Sequence, residues 1–248
     1  MKNINSDVAY DHIRKKILAG DYAPGSALLT NELSNEIGVS RTPVRDALRQ
    51  LEADGLVQIR PRQGASVKSM DLREYRELCG MRLALESYAA GLAAVQRSES
   101  DLQEMRYALN SMRKITEQII ASRDEGILLK DLMREDVRFH IAIMSAARSD
   151  LIKKEILRLH LINRVVCGPT PGEQDSSVGK AARDRDRPKI LASHEEIFLA
   201  IEKNDVAAAK TAMEEHIQDI IDKNIRMMAR DEHLTGRELT EEELTYTT

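Results

Sequence analysis

The sequence predicts a mainly α-helical protein: a small N-terminal helical unit closed by a β-hairpin, then a larger all-α helical bundle. Three observations predict this. Apolar residues recur at helical spacing from Tyr10 to Leu51 and again from Leu78 to Ile220. A hairpin pattern stands between them, with Leu56-Val57-Gln58-Ile59 and Ala65-Ser66-Val67 flanking the turn residues Arg60-Pro61-Arg62-Gln63-Gly64. Aromatics make up only 3% of the 248 residues and Trp is absent, so the core must come from Leu, Ile, Ala, Val and Met, a helix-favouring set.

Tyr10, Ile13, Ile17 and Leu18 mark the first amphipathic helix, which Gly20 ends. Asp21-Tyr22-Ala23-Pro24-Gly25 is a turn cluster. Thr30 is placed to cap a short second helix, Asn31 to Ile37, closed by Gly38. Ser40 suits the N-cap of a third, because its hydroxyl can accept a first-turn N–H. Pro43 falls in that first turn, where a missing N–H costs nothing. Val44, Ala47, Leu48 and Leu51 form the apolar stripe, and Gly55 follows as a stop. Arg41, Arg45 and Arg49 repeat every four residues and share the opposite face. A basic helix face is commonly just solvated, but here it comes with a cap and an arginine-rich hairpin tip. Helix, short helix, turn, helix and wing make a winged helix-turn-helix, whose second motif helix enters the DNA major groove.

Gly20-Asp21-Tyr22-Ala23-Pro24-Gly25, Glu32-Leu33-Ser34, V-S-R-T-P-V-R-x-A-L-x-x-L from Val39, and the G-L and Q-G of the wing closely resemble the DNA-binding domain of the GntR superfamily, over about residues 6 to 68. The resemblance implies that Arg41, Thr42 and Arg45 contact DNA directly, with Arg49 on the same face and Arg62, Gln63 and Gly64 at the wing. One departure stands out. Many members of that family carry a DNA-touching arginine where this chain has Asn31, which leaves the base preference open.

Charge divides with the elements. The chain carries a net charge of −4, split as +2 over residues 1–68 and −6 beyond, so contact with a polyanion is expected only in the N-terminal part. Cys79 and Cys167 form no disulfide framework and no CxxC. No secretory h-region follows Met1, and no apolar run approaches the roughly 18–20 residues that span a bilayer, so a cytoplasmic address and no membrane partner are expected.

After the wing, helices are expected over Asp71–Val95, from a Ser98 cap through Ile119, over about Asp124–Ala147, and over Asp150–Val166. A long loop is expected from Gly168 to Pro188, then helices from about Lys189 to Lys203 and from an Asp205 cap to about Arg230. The domains read as 1–69 for the winged helix-turn-helix, 70–230 for the dimerising, metal- and ligand-binding bundle, and 231–248 for a polar tail, where a short helix capped by Thr240 and disorder both remain open.

Ionisable residues interrupt the buried stripes. Asp136 and His140, at i and i+4, share a face with Leu129, Leu132, Phe139 and Ile143. His194 sits amid Ile190, Ile197, Phe198 and Ile201, and His216 amid Ala209, Met213, Ile217 and Ile220. A lone histidine on an apolar face is commonly a hydrogen-bonded core residue. Three of six, with an aspartate, all pointing inward from one bundle, are a candidate set of ligands for a divalent metal. D-x-x-x-H, S-H-E-E-I-x-x-A-I-x-x-x-D and A-x-x-x-M-x-x-H-I resemble the metal-binding variant of the FCD ligand domain found in the FadR subfamily of GntR regulators, over about residues 71 to 230. The resemblance maps the metal residues onto Asp136, His140, His194 and His216, with zinc the first expectation and nickel or manganese as alternatives.

Arg82 lies on the stripe Leu78–Leu85–Ala89. It reads either as an intrahelical partner of Glu86 or, as the resemblance implies, as the group that helps hold a ligand carboxylate. Asn163 similarly reads as a ligand contact or a satisfied core amide, while His12, His160 and His233 show no such setting. The expected function is a homodimeric transcriptional regulator, a repressor, on palindromic operator DNA, responding to a small organic acid at the metal. Two alternatives are a metal-dependent hydrolase and a regulator whose metal is purely structural.

Overall fold

The computed structural model describes residues 4–122, 126–167 and 177–234. It is mainly α, with a winged helix-turn-helix at the N-terminus and a helical bundle after it. In the head, α1 (Ile4–Ala19), α2 (Thr30–Ile37) and α3 (Arg41–Ala53) surround a core that includes Ala9, Ile13, Ile17, Leu33, Val44, Leu48 and Leu51. Ser40 holds the N-cap position of α3, but its hydroxyl makes no cap bond. Thr30 is a correction of one residue: the N-cap of α2 is Leu29, whose carbonyl accepts from Leu33 N at 3.0 Å, and Thr30 is already helical. Gly38 and Gly55 close their helices with φ of 76° and 80°, the left-handed conformation that a side chain resists.

The wing is β2 (Val57–Arg60) paired antiparallel with β3 (Gly64–Val67), Arg60 facing Gly64. A two-residue strand absent from the sequence reading, β1 (Ala27–Leu28), adds to the far side of β3, giving the order β1-β3-β2. It extends from the end of the expected turn cluster, too short to show a period.

The bundle comprises α4 (Leu72–Gln96), α5 (Glu99–Ala121), α6 (Gly126–Ala146), α7 (Asp150–Val166), α8 (Ser177–Glu202) and α9 (Val206–Leu234). Reciprocal capping boxes start two of them. Asp71 accepts from Glu74 N at 2.7 Å while Glu74 accepts from Asp71 N, and Ser98 with Asp101 does the same for α5. Asp205 Oδ1 accepts from Ala208 N at 3.0 Å at the start of α9. The α4 helix lies at the centre, packed against α6, α7, α8 and α9.

Three expectations need correction. The fifth bundle helix begins at Ser177, not near Lys189, and Pro188 lies inside it. The Arg/Asp alternation that read as loop is helical i,i+3 pairing: Arg187 Nε is 3.1 Å from Asp184 and Lys189 is 4.0 Å from Asp186, while Lys223 of α9 reaches Asp186 at 3.8 Å. The proline removes one N–H from a helix held by these pairs and by packing. Next, α9 runs to Leu234 rather than Arg230. Finally, α4 is long and apolar enough to cross a bilayer, yet 56% of that apolar window is buried inside the bundle and it carries a buried Arg–Glu pair. The expected start of the third bundle helix at Asp124, the loop residues 168–176 and the proposed Thr240 cap lie outside the described residues.

Candidate metal centre and nucleic-acid interface

On the head, α3 turns Val44, Ala47, Leu48 and Leu51 inward, which leaves Arg41, Thr42, Arg45 and Arg49 exposed. Arg49 lies 3.8 Å from Asp46, a loose surface pair that leaves its guanidinium open. Arg62, Gln63 and Gly64 are exposed at the wing tip, with Arg62 itself in the left-handed region at φ 66°. The helices beneath are tied by Glu36, which meets Lys16, His12 (2.9 Å) and the Tyr22 hydroxyl (2.9 Å). Its bond to Lys16, with those from His12 and Tyr22, holds the Glu36 carboxyl down to about 2. The sequence reading left His12 without a setting, and this surface cluster is its role.

In the bundle, α6 delivers Asp136 and His140, α8 delivers His194 and α9 delivers His216. The three imidazoles are buried, and one nitrogen from each lies within 4.8 Å of the others. Ring centroids are 4.4 Å apart for His194–His216 and 5.2 Å for His140–His216. Asp136 Oδ1 stands 2.9 Å from His194 Nε2, at the open side of the cluster, with 40% of its side chain exposed.

Hydrogen bonds decide which nitrogens face inward. His194 Nδ1 is 2.7 Å from the Ile190 carbonyl, which can only accept, so Nδ1 carries a hydrogen and, in the neutral ring, Nε2 carries the lone pair. Ser193 gives its one hydroxyl hydrogen to the same carbonyl at 2.8 Å, so it must accept from His216 Nδ1 at 2.9 Å. His216 Nε2 is therefore also a lone pair. Both Nε2 atoms, with His140 Nδ1, are buried without a hydrogen-bond partner. A neutral imidazole lone pair set 2.9 Å from a carboxylate oxygen is repulsive unless a cation joins them. Two donors held about 2.0–2.2 Å from one ion stand about that close. The outer hydrogen bonds through Ile190 and Ser193 are of the kind that orient metal-binding histidines. The residues thus fit a divalent ion.

Electrostatics agree. Burial, outweighing the attraction of Asp136, pushes the His140 imidazole down to about 4. Burial and the neighbouring His194 and His140 push His216 down to about 2. Desolvation opposes ionisation of Asp136, but the His194 contact and the surrounding imidazoles hold its carboxyl well below the usual range. His140 and His216 are poised as neutral nitrogens and Asp136 as an anion, the forms that bind metal.

Beside it, Arg82 Nε donates to Glu86 Oε1 at 2.9 Å, both side chains buried. Glu86 Oε2 is 3.8 Å from His140 Nδ1, which places this pair against the histidine cluster. Burial raises the Glu86 pKa, but Arg82 and His160 bring it down to about 2. Arg82 Nη1 is buried without a partner. Asn163 Oδ1 accepts from the Tyr75 hydroxyl at 3.0 Å, and that hydroxyl accepts from Asn224 Nδ2 at 2.7 Å. Sequence reasoning missed His160. Its Nε2 lies 3.0 Å from Glu86 Oε1, and its ring centroid is 5.9 Å from that of His140. The signal was its spacing, four residues after Ile156 and three before Asn163 on one helix. Phe139 packs edge-on to His140 and His194, whereas the Arg106 guanidinium lies over Phe198. His233 lies where side chains are outside the described set.

Comparison with known proteins adds the family. Residues 5–67 match the profile of bacterial regulatory proteins of the gntR family, and residues 77–219 match the FCD domain. The chain is 29% identical to the HTH-type transcriptional repressor RspR of Escherichia coli K12 over 221 residues, covering 85% of each chain. It is 27% identical to the HTH-type transcriptional regulator LutR of Bacillus subtilis, covering 82% of this chain and 93% of that one. Among solved structures, E. coli McbR/YncC shares the fold with a TM-score of 0.68 at 21% identity, covering 92% of this chain and 99% of the other.

Proposed function

We propose that this chain, which belongs to the GntR family of bacterial transcriptional regulators and carries an FCD domain, is a homodimeric repressor that responds to a small carboxylic acid at a divalent metal in its bundle. The observation that carries the sensing reading is the pairing of two incomplete sets. A buried His194 nitrogen faces Asp136, the buried His216 Nε2 and His140 Nδ1 lack partners, and so does the buried Arg82 Nη1. Asp136, His140, His194 and His216 would hold the ion. Zinc suits three imidazoles and a carboxylate, and nickel or manganese would also fit. The ion would supply positive charge and coordination positions for an acid's oxygen. Arg82 would take the acid's other oxygens through its planar fork. Asn163 already accepts through its oxygen, which leaves its amide NH2 as the group to face a ligand. An unpaired guanidinium nitrogen next to the cluster favours sensing over a purely structural ion.

DNA contact falls to Arg41, Thr42, Arg45 and Arg49 on α3 and to Arg62, Gln63 and Gly64 on the wing. One head reads a half-site, so a palindromic operator calls for two copies. Exposed Met81, Tyr88 and Val95, with Leu85 and Leu92 between them, form an apolar stripe along α4 that a second copy would cover. Repression is the role named for RspR and is carried to this chain as part of the proposal. With DNA as its partner, the protein would work in the cytoplasm.

The test is native mass spectrometry with elemental analysis of one preparation, followed by operator gel shifts. One divalent ion per chain, a retained acid and an operator affinity that changes when the acid is stripped are expected. Zinc-reconstituted protein that holds less than stoichiometric metal would contradict the centre. Retained acid without effect on DNA binding would contradict sensing.

A further inference from the structure

One helix belongs to both cores. On α7, Leu159 and Ile162 pack in the bundle core, while Val165 is buried in the head core with Leu161 alongside. The contact with the head is tight. A Cβ placed on Gly55 would meet Ile162 Cδ1 at 2.6 Å and Arg158 Nη1 at 3.5 Å. Gly55 is the left-handed residue just beyond α3, the helix that carries the exposed arginines. Beside it, Asp54 accepts the Tyr10 hydroxyl of α1 at 2.6 Å, and its charge acts on the Arg158 guanidinium. The residue just beyond α3 rests on α7, and α1 packs against α7 as well.

The same helix reaches the bundle site. His160 lies 3.0 Å from Glu86, whose carboxylate is held by Arg82, and Asn163 bonds Tyr75 on α4. These residues sit within one turn of Ile162. We infer that α7 transmits the state of the bundle site to the DNA-reading helix, with His160 as the positioning residue that senses Glu86. The inference rests on the sensing reading above for its biological use, but the mechanical link does not need the effector to be known. A group that competes for the Arg82 guanidinium loosens Arg82 from Glu86. Glu86 is then free to change its contact with His160, and α7 moves with it. Close-packed interiors transmit such shifts rather than absorb them, and the Gly55–Ile162 contact has no room for a methyl group.

The experiment is a double-mutant cycle read by operator affinity and by hydrogen exchange of α3 amides, in the full-length protein without added acid. Ile162→Val deletes only Cδ1, the atom that meets Gly55, and keeps most of the packing. His160→Ala should change operator affinity about fivefold or more, the lower end of ordinary coupling. In the Ile162→Val background the same change should shrink below about twofold. His160→Gln, which keeps a polar group within reach of Glu86, should restore wild-type affinity. Metal content should stay unchanged in all three. Operator affinity that stays within about twofold on His160→Ala, or an equal effect of His160→Ala in both backgrounds, would overturn the inference. An acid response that persists when the cycle shows no coupling leaves the sensing reading standing and removes α7 alone. A coupled cycle in a protein that no acid affects does the reverse.

Discussion

The two halves of this molecule treat charge in opposite ways. The head turns Arg41, Arg45, Arg49 and Arg62 outward, and its polar ties at Glu36 are near the surface. The bundle places Arg82, Glu86, His140, His194 and His216 inside, where a charge without a partner is expensive. The head's arginines are exposed, and in the proposed function a polyanion from outside partners them. The bundle's groups are partly satisfied by one another and partly left with orphaned atoms, as a site for something small requires. Burial, more than residue type, separates the surface proposed to read DNA from the cluster proposed to read a ligand.

The comparison can be broken most sharply at the buried pair. Arg82→Ala should cost about 3–5 kcal/mol in denaturant unfolding, because it strands the Glu86 carboxylate. Arg82→Met combined with Glu86→Gln should recover most of that loss. A cost below about 1 kcal/mol for Arg82→Ala would show that His160 and solvent satisfy Glu86 by themselves. On the head, Arg45→Ala should weaken operator binding by about 1–3 kcal/mol if it reads a guanine edge, with folding unaffected. Equal losses on operator and random DNA in gel shift would reassign it to phosphate.

Acidity sharpens the contrast further. His140 and His216 are held neutral in the fold and take up protons once unfolded, so their contribution is complete above about 6.5 and lost as pH falls below it. Metal-free protein should therefore lose up to about 1.4 kcal/mol per pH unit per histidine from 6.5 down towards 4, as measured by chemical denaturation. A flat profile across that range would mean the imidazoles are charged in the fold. The smallest effect is expected at Arg49. Arg49→Ala should leave stability within about 0.5 kcal/mol, since its pair with Asp46 is exposed. It should reduce the salt slope of operator binding by about 0.9 if it touches one phosphate.

Much of this was legible in the sequence because helix ends announce themselves chemically. Ser98, Asp205 and the Asp150–Val166 stretch locate their helices to within a residue or two, since caps and periodicity act locally. The inward positions of His140, His194 and His216 followed from the 3.6-residue period alone. What was not legible depends on long-range neighbours. Pro188 sits mid-helix because ion pairs and packing against α9 outweigh one lost hydrogen bond. Strand β1 exists only through β3. His160 showed no setting in the sequence, because it is α4 that brings Glu86 beside it. The hydrogen bonds through Ser193 and Ile190 that select the histidine tautomers were equally invisible, although Ser193 is next to His194 in the chain.

The central claim is that an acid bound beside the metal uses the Arg82 fork to alter DNA binding. Arg82→Lys tests it most directly, because the lysine keeps a charge near Glu86 while losing the bidentate geometry. Zinc-loaded wild type and Arg82→Lys would be screened against a panel of small carboxylic acids, with melting temperature and operator affinity measured on each. The account predicts at least one acid that raises the wild-type melting temperature and shifts operator affinity about 5–150-fold, with both responses to the acid largely lost in Arg82→Lys. An acid response of undiminished size in Arg82→Lys would contradict it.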